Sequence, residues 1–443
     1  MSIQAEPNHE SAATAEQKTT ASPAEMNLSQ GSLSPPAIET WNRPASNVYR
    51  VVACFWSLLN LGMFDAAYGA ILPYLQEFYN VNYRTVSLLF LSPLVGYVAS
   101  GILNTRLHNA VGQRGLAVFC GSAHAISAVI SILHPPFPVL IVSFMIAGLG
   151  NGLSDAAWNA WIGGLDRSNE LLGFLHAAYG VGGIISPLIA TAMIARASMP
   201  WYKFYYVVLG FSVVELVALT ASFWSYTGRH YRESMTQFQG TDGKSVSMRA
   251  TLVTLPEARV AWLAALFVLI YIGVEVSVGG WVVEFMLRVR NGEAFASGMC
   301  ATGYWMGITF GRILLPFVTN MTGPKLSVSV YLCLAMVAEL VFWLVPNFYA
   351  SAIAAAFQGF FIGPMFPHAV SVVTNLLPPR LHVVVIGFVA ALGGCGASLL
   401  PFAVGLLAQR YSVIALQPFI LGCLALALVV WIFIPSQRHR SAV

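Results

Sequence analysis

Five acidic residues lie inside long apolar runs of this 443-residue chain: Asp65, Asp155, Glu215, Glu275 and Glu339. A charged side chain at mid-bilayer costs about 2.5–3.5 kcal/mol even on the lenient insertion scale. Each acid is therefore expected to face a protein interior, pair with a donor or hold a proton. All three conditions suit a carboxyl group that takes up and releases a proton as its surroundings turn wet or dry. Asp65 precedes Gly69 and Pro73, in a helix whose glycines let the backbone open a cavity. Asn151, Asp155 and Asn159 are spaced by four, which puts them on one helix face. Trp158 is close to that stripe. Amide, carboxylate and amide beside an indole make a wall suited to binding hydroxyl groups.

The remaining candidates carry alternatives. Glu275 follows Tyr271 and Gly273, with Trp281 six residues on. A functional or gating role and a structural pairing fit it equally. Glu215 and Glu339 read as structural. His176 precedes the glycines of a later run and suits substrate binding or proton relay, with an ordinary interhelical hydrogen bond as the alternative. Arg312 follows Gly311 and reads as a snorkelling residue or part of a gate salt bridge.

The elements that must position these residues are membrane helices. The chain is 57% hydrophobic and 9% charged, where a soluble chain has about 25% charged residues. Its solvent is partly lipid. The net charge of +4 is small and the basic residues are scattered, so nucleic acid is not an expected partner. The six cysteines show neither disulfide nor metal spacing. There is no phosphate-binding glycine loop followed by Lys-Ser/Thr, and no nucleophile–base pattern or metal cluster. An ATP-driven pump and an enzyme are therefore not expected.

From Val48 onward, apolar runs of about 20 residues recur, the length that crosses ~30 Å of hydrocarbon. They fall near 48–73, 83–104, 114–133, 138–163, 171–195, 202–226, 260–285, 294–318, 326–345, 348–376, 382–408 and 414–434. The reading is an all-α membrane protein with twelve transmembrane helices. Residues 1–47 are polar and read as a disordered tail, and 435–443 as a short tail. The polar stretch 227–259 divides two halves, 48–226 and 260–434. With both termini cytoplasmic, fifteen of the 22 Lys and Arg residues fall on the cytoplasmic side. Arg106 and Arg114 are among them, in the segment joining the second and third runs.

The halves repeat. Gly173-Phe174, Gly180, Gly182 and Pro187 match Gly387-Phe388, Gly394, Gly396 and Pro401, 214 positions on. Asp65 and Glu275 are 210 apart, and Gly112-Gln113-Arg114 matches Gly323-Pro324-Lys325 at 211. Two homologous six-helix halves related about an axis along the membrane normal describe a major facilitator fold.

Several segments resemble the fucose–proton symporter branch of the major facilitator superfamily, particularly its fungal-type members. They are Tyr271-Ile-Gly-Val-Glu275 through Trp281, Tyr304-Trp-Met-Gly307 through Arg312, His176-Ala-Ala-Tyr-Gly180 through Gly183, and Gly359 through Pro367. The resemblance implies a carboxylate in the first helix and another in the fourth, for proton coupling and sugar binding. Asp155 with Asn159 matches the second. For the first, sugar symporters of this pattern place the acid where this chain has Gly69, and Asp65 lies one turn earlier on the same face. The expectation is a secondary transporter of a small organic solute working by alternating access. It needs no cofactor and takes its drive from a proton gradient. A sugar-like solute leads; export of a secondary metabolite and a non-transporting receptor are the alternatives. A monomer in the lipid bilayer is expected, at the plasma membrane by default or in an internal membrane.

Overall fold

The computed structural model describes residues 39–239, 258–377 and 379–435. Helices dominate because most of the chain is an apolar run that must satisfy its own backbone in lipid. The first half holds α1 (Ser46–Tyr79), the short α2 (Tyr83–Val86), α3 (Leu88–Ile132), α4 (Phe137–Gly163), α5 (Ser168–Thr191) and α6 (Phe204–Ser222). After α7 (Gly228–Gln239), the second half holds α8 (Ala258–Arg288), α9 (Ala294–Thr322), α10 (Pro324–Leu344), α11 (Phe348–Ile362), α12 (Met365–Leu376), α13 (Pro379–Tyr411) and α14 (Leu416–Phe433).

Two of these helices depart from one crossing each. α3 reverses at Gly112, whose φ of 67° lies in the region that favours glycine. A Cβ there would also lie 2.4 Å from the Thr227 backbone. The expected second and third helices are the two limbs of α3. α11 and α12 together make one crossing, interrupted at Gly363-Pro364. Proline lacks the N–H that would continue the ladder. Among the described residues, ten helical spans are long and apolar enough to cross a bilayer, and the 50-residue span Tyr83–Ile132 is the bent pair. The 29-residue α9 supplies the twelfth crossing among the described residues.

Two boundaries differ from the sequence reading. The stretch read as loop 227–259 contains helix α7, with an exposed Arg229–Glu233 pair at 2.8 Å. Residues 39–47, read as tail, are held to the bundle: Asp166 N donates to Glu39 O (2.9 Å), and Asn47 Nδ2 donates to the Glu39 carboxylate (2.9 Å). The rest of the two expected tails, 1–38 and 436–443, and of the loop, 240–257, lie outside the described residues.

Packing within each half depends on glycines that let backbones touch. A Cβ on Gly182 of α5 would meet Leu59 O of α1 at 1.9 Å, and a Cβ on Gly396 of α13 would meet Leu269 O of α8 at 2.0 Å. A second repeat is visible only in three dimensions. Gly96 abuts Met145 O and Gly148 abuts Pro93 O between α3 and α4; Gly307 abuts Ala356 O and Gly359 abuts Tyr304 O between α9 and α11. Each position in the first set corresponds to one in the second 211 residues on, and the two glycines recur while the residues they abut, Met145 and Pro93, become Ala356 and Tyr304. Apolar side chains such as Val95, Ile102, Phe119, Val217, Phe317 and Val337 stay exposed around the outside. They face the hydrocarbon that this composition requires.

Close contacts between the halves concentrate toward one end. We call it the far end, where α1 finishes and α8 finishes. Gly69 of α1 would place a Cβ 2.0 Å from Gly279 O of α8, Gly298 lies against Thr191, and Gly405 against Ser87. The Arg196 guanidinium stacks over the Phe295 ring at 4.1 Å. Toward the near end, where α1 begins and α14 finishes, His176 and Phe366 face each other at 6.2 Å. Beyond them, Gly173 and Gly387 have open space where a side chain would stand. The bundle is closed at the far end and parted at the near end.

The Gly69 contact gives a direct prediction. Gly69→Ala forces α1 from α8 and lowers the stability of the purified protein by about 1–3 kcal/mol. Gly101→Ala, where nothing lies within 4 Å, leaves it unchanged. The thermal unfolding midpoints of the two variants check this.

Candidate functional site

From Leu61 through Pro73, every residue of α1 is buried except Asp65, which is half-buried. Asp65 is thus the one residue of this stretch that keeps more than slight accessible surface. Asp65 lies deep in the protein yet keeps accessible surface, which defines an internal cleft. Two donors meet it. Asn151 Nδ2 of α4 donates to Oδ1 at 2.9 Å, and Tyr179 Oη of α5 donates to Oδ2 at 3.2 Å.

Asp155 and Asn159 line the same cleft one and two turns nearer the parted end. Both are half-buried, and Asn159 Nδ2 donates to Asp155 Oδ1 at 2.8 Å. The stripe expected on α4 therefore divides. Asn151 turns to Asp65, while Asp155 and Asn159 pair with each other. His176 is half-buried on α5 and lies beside the Phe366 ring.

The second half contributes an ion pair. Arg312 Nη2 donates to Glu275 Oε1 at 2.8 Å, and its Nε donates to Gly363 O at 3.2 Å, the carbonyl freed by the break between α11 and α12. Glu275 is buried, and its Oε2 has no hydrogen-bond partner. The Arg312 guanidinium sits 5.8 Å from the Tyr179 ring centre. Asp65, Tyr179, Arg312 and Glu275 thus form a polar bridge from α1 through α5 and α9 to α8. Of the two expectations for Arg312, snorkelling is not what occurs; the salt-bridge alternative is, with its charge matched by Glu275 inside the bundle.

The expected aromatic walls lie elsewhere. Trp158 is fully buried, stacks on Phe223 at 5.1 Å and donates to Ser57 Oγ at 3.1 Å. Trp281 is fully buried at the far end, donates to Pro401 O at 3.0 Å and packs beside Tyr83 and Phe90. Neither offers a face to the cleft. Tyr179 does border it, edge-on to Trp305 at 6.2 Å. Arg106 is exposed near the α3 reversal. Arg114 stacks over Trp224 at 5.0 Å and donates to its carbonyl at 3.4 Å, fixing the near end.

Behind Asp65, sequence reasoning missed His124 and named Glu215 only as a structural acid, without its partner. His124 of α3 faces Asn151 Oδ1 at 2.9 Å through Nε2 and Glu215 Oε2 of α6 at 2.7 Å through Nδ1. The signal was a histidine and a glutamate buried in apolar runs, 91 positions apart, with no motif to join them.

At the far end, Tyr83 Oη of α2 donates to Glu284 Oε1 of α8 at 2.9 Å, crossing between the halves. Arg288 Nε also donates to that oxygen, at 3.0 Å. A hydrogen bond to a charged group contributes about 1.5–3 kcal/mol. Tyr83→Phe therefore shifts the population about tenfold or more toward opening of the far end. Distances between spin labels at Arg84 and Gln409, both exposed, read that shift.

Two six-helix halves meeting around a polar cleft and parted at one end define a membrane transporter of the alternating-access kind. The Major Facilitator Superfamily profile matches residues 54–340, and the chain belongs to that superfamily. It is a multi-pass integral membrane transporter, not an enzyme. The chain is 28% identical over 393 residues to bypass of stop codon protein 6 of Saccharomyces cerevisiae, covering 82% of this chain and 78% of that protein. It is 19% identical over 350 residues to the glucose/mannose transporter GlcP of Bacillus subtilis, covering 78% and 84%. Among solved structures, a D-xylose–proton symporter superposes with a TM-score of 0.69 at 14% identity, covering 88% of this chain and 98% of the symporter.

Proposed function

We propose that this chain carries a small sugar-like solute together with protons, and that Asp65 is the group that takes up and releases the proton. The observation behind this reading is the isolation of Asp65 as the one accessible residue in a buried stretch of α1, with two donors on its carboxylate. Protonation removes its charge and frees Asn151 and Tyr179 to bind the hydroxyls of a solute. Asp155, Asn159, His176 and Glu275 supply further polar groups along the cleft. The names of two similar proteins, a glucose/mannose transporter and a D-xylose–proton symporter, support a sugar-like solute. The resemblance of several segments to the fucose–proton symporter branch points the same way.

The near end faces the cytoplasm in this reading, with both termini inside, as the Lys and Arg bias suggests. The parted near end then corresponds to an inward-facing state. The protein works as a monomer, with plasma membrane as the favoured site. One proton moving down 100 mV supplies ~2.3 kcal/mol, enough for about 50-fold accumulation of an uncharged solute. Uptake of labelled L-fucose and related hexoses into transporter-deficient cells tests the reading. Accumulation that a protonophore collapses supports it. No accumulation, with the protein present at the cell surface, overturns it.

A further inference from the structure

Behind Asp65 runs a chain of buried side chains that the transport cycle as described does not use. Trp158 Nε1 donates to Ser57 Oγ at 3.1 Å, which leaves the Ser57 proton for Glu215 Oε1 at 2.5 Å. Asn60 Nδ2 donates to Glu215 Oε2 at 2.7 Å. His124 Nδ1 meets the same oxygen at 2.7 Å. Donors meet both oxygens of this carboxyl, the pattern of an ionised group that only accepts. At the other side, Asn151 Nδ2 donates to Asp65, so its Oδ1 must accept. It accepts from His124 Nε2, at 2.9 Å. With Nε2 a donor and Nδ1 facing a carboxylate, the imidazole carries both protons. His124 and Glu215 are both fully buried, and a buried pair of this kind persists only with its remaining hydrogen-bonding atoms satisfied.

We propose that His124, held as a cation by Glu215, is a positioning residue that sets how tightly Asp65 holds its proton, acting through the Asn151 amide. This rests on the reading of Asp65 as the proton-carrying group. The imidazolium and the amide between them direct positive charge at the Asp65 carboxylate and favour its ionised form. Other groups act on Asp65 as well: Asp155 from α4, Tyr97 from α3, Tyr68 from its own helix, and Tyr179 from α5 with Arg312 beyond it. None of them shares the hydrogen bond through Asn151. The Phe64 ring stacks on the imidazole at 5.1 Å and holds it in place. No proton need pass through Asn151. The Glu215–His124 pair keeps its proton while Asp65 exchanges its own with the cleft.

The test reads Asp65 directly and needs no solute. The carboxyl C=O stretch of Asp65 is followed by infrared difference spectroscopy on the purified protein in liposomes, assigned by its loss in Asp65→Asn. In the double variant His124→Gln with Glu215→Gln, which removes both charges together, the titration midpoint is expected to rise by about one pH unit. Glu215→Gln alone, close in shape to the original, is expected to shift it the same way. A structural role only would lower the unfolding temperature of both variants and leave the midpoint where it was, overturning the proposal. So would the absence of any Asp65 titration between about pH 4 and 10 in the unmutated protein, a span wider than carboxyl shifts of a few units require. Failure of wild-type sugar accumulation would instead sink the symport reading, and the titration shift would still stand or fall by itself.

Discussion

Asp65→Asn abolishes uphill accumulation and leaves downhill exchange of the solute in place. Asparagine is close in size and still accepts from Asn151 or Tyr179, so the helix contacts around it survive. It cannot gain or lose a proton, so the solute ratio across the membrane falls from about 50-fold at 100 mV to near one. The variant should still swap labelled for unlabelled solute in counterflow, because that step needs no net proton movement. Asp155→Asn also abolishes gradient-driven accumulation if both acids couple, with folding largely intact. The comparison matters because, among the described residues, Asp155 is bonded to Asn159 on its own helix, whereas Asp65 links three helices. Counterflow and protonophore-sensitive uptake, measured on the same vesicles, separate the two roles.

Arg312→Leu has the second large effect, and it falls first on stability. Glu275 is 4% exposed and takes its one side-chain hydrogen bond from Arg312. Removing one partner of a buried pair costs about 3–5 kcal/mol, because the other charge is left uncompensated. The Gly363 carbonyl, freed by the helix break, also loses its donor. Glu275→Gln combined with Arg312→Gln removes both charges and recovers most of that loss, since an uncharged pair carries far less desolvation penalty. Transport does not return with it, because the polar bridge from Tyr179 to α8 is gone. Surface yield and unfolding temperature of the single and double variants, set beside their transport rates, test both halves of this statement.

The sequence made the crossings legible because bilayer thickness imposes a fixed length on every apolar run. It made the two halves legible because glycines such as Gly182 and Gly396 meet the same backbone position on α1 and α8. It did not show which way a side chain points on a helix that is apolar all round. Trp158 shares a helix with Asn151 and Asp155 yet turns away into α6. Nor did it join His124 to Glu215, since contacts between distant helices leave no local spacing to read. For Arg312 the sequence left snorkelling and a salt bridge both open and named no partner; the break at Gly363-Pro364 opens a carbonyl beside it and Glu275 lies across from it. Helix α7 was hidden because a short, charged helix outside the membrane reads like a polar loop.

In the proposed cycle solute and proton move together through the cleft at Asp65. The most direct measurement of that coupling is the proton flux that the transported hexose provokes across lightly buffered proteoliposomes with no imposed gradient. An inward hexose gradient is expected to acidify the interior, and Asp65→Asn vesicles are expected to show hexose exchange without that signal. Hexose movement with no accompanying proton flux in the unmutated protein would contradict it.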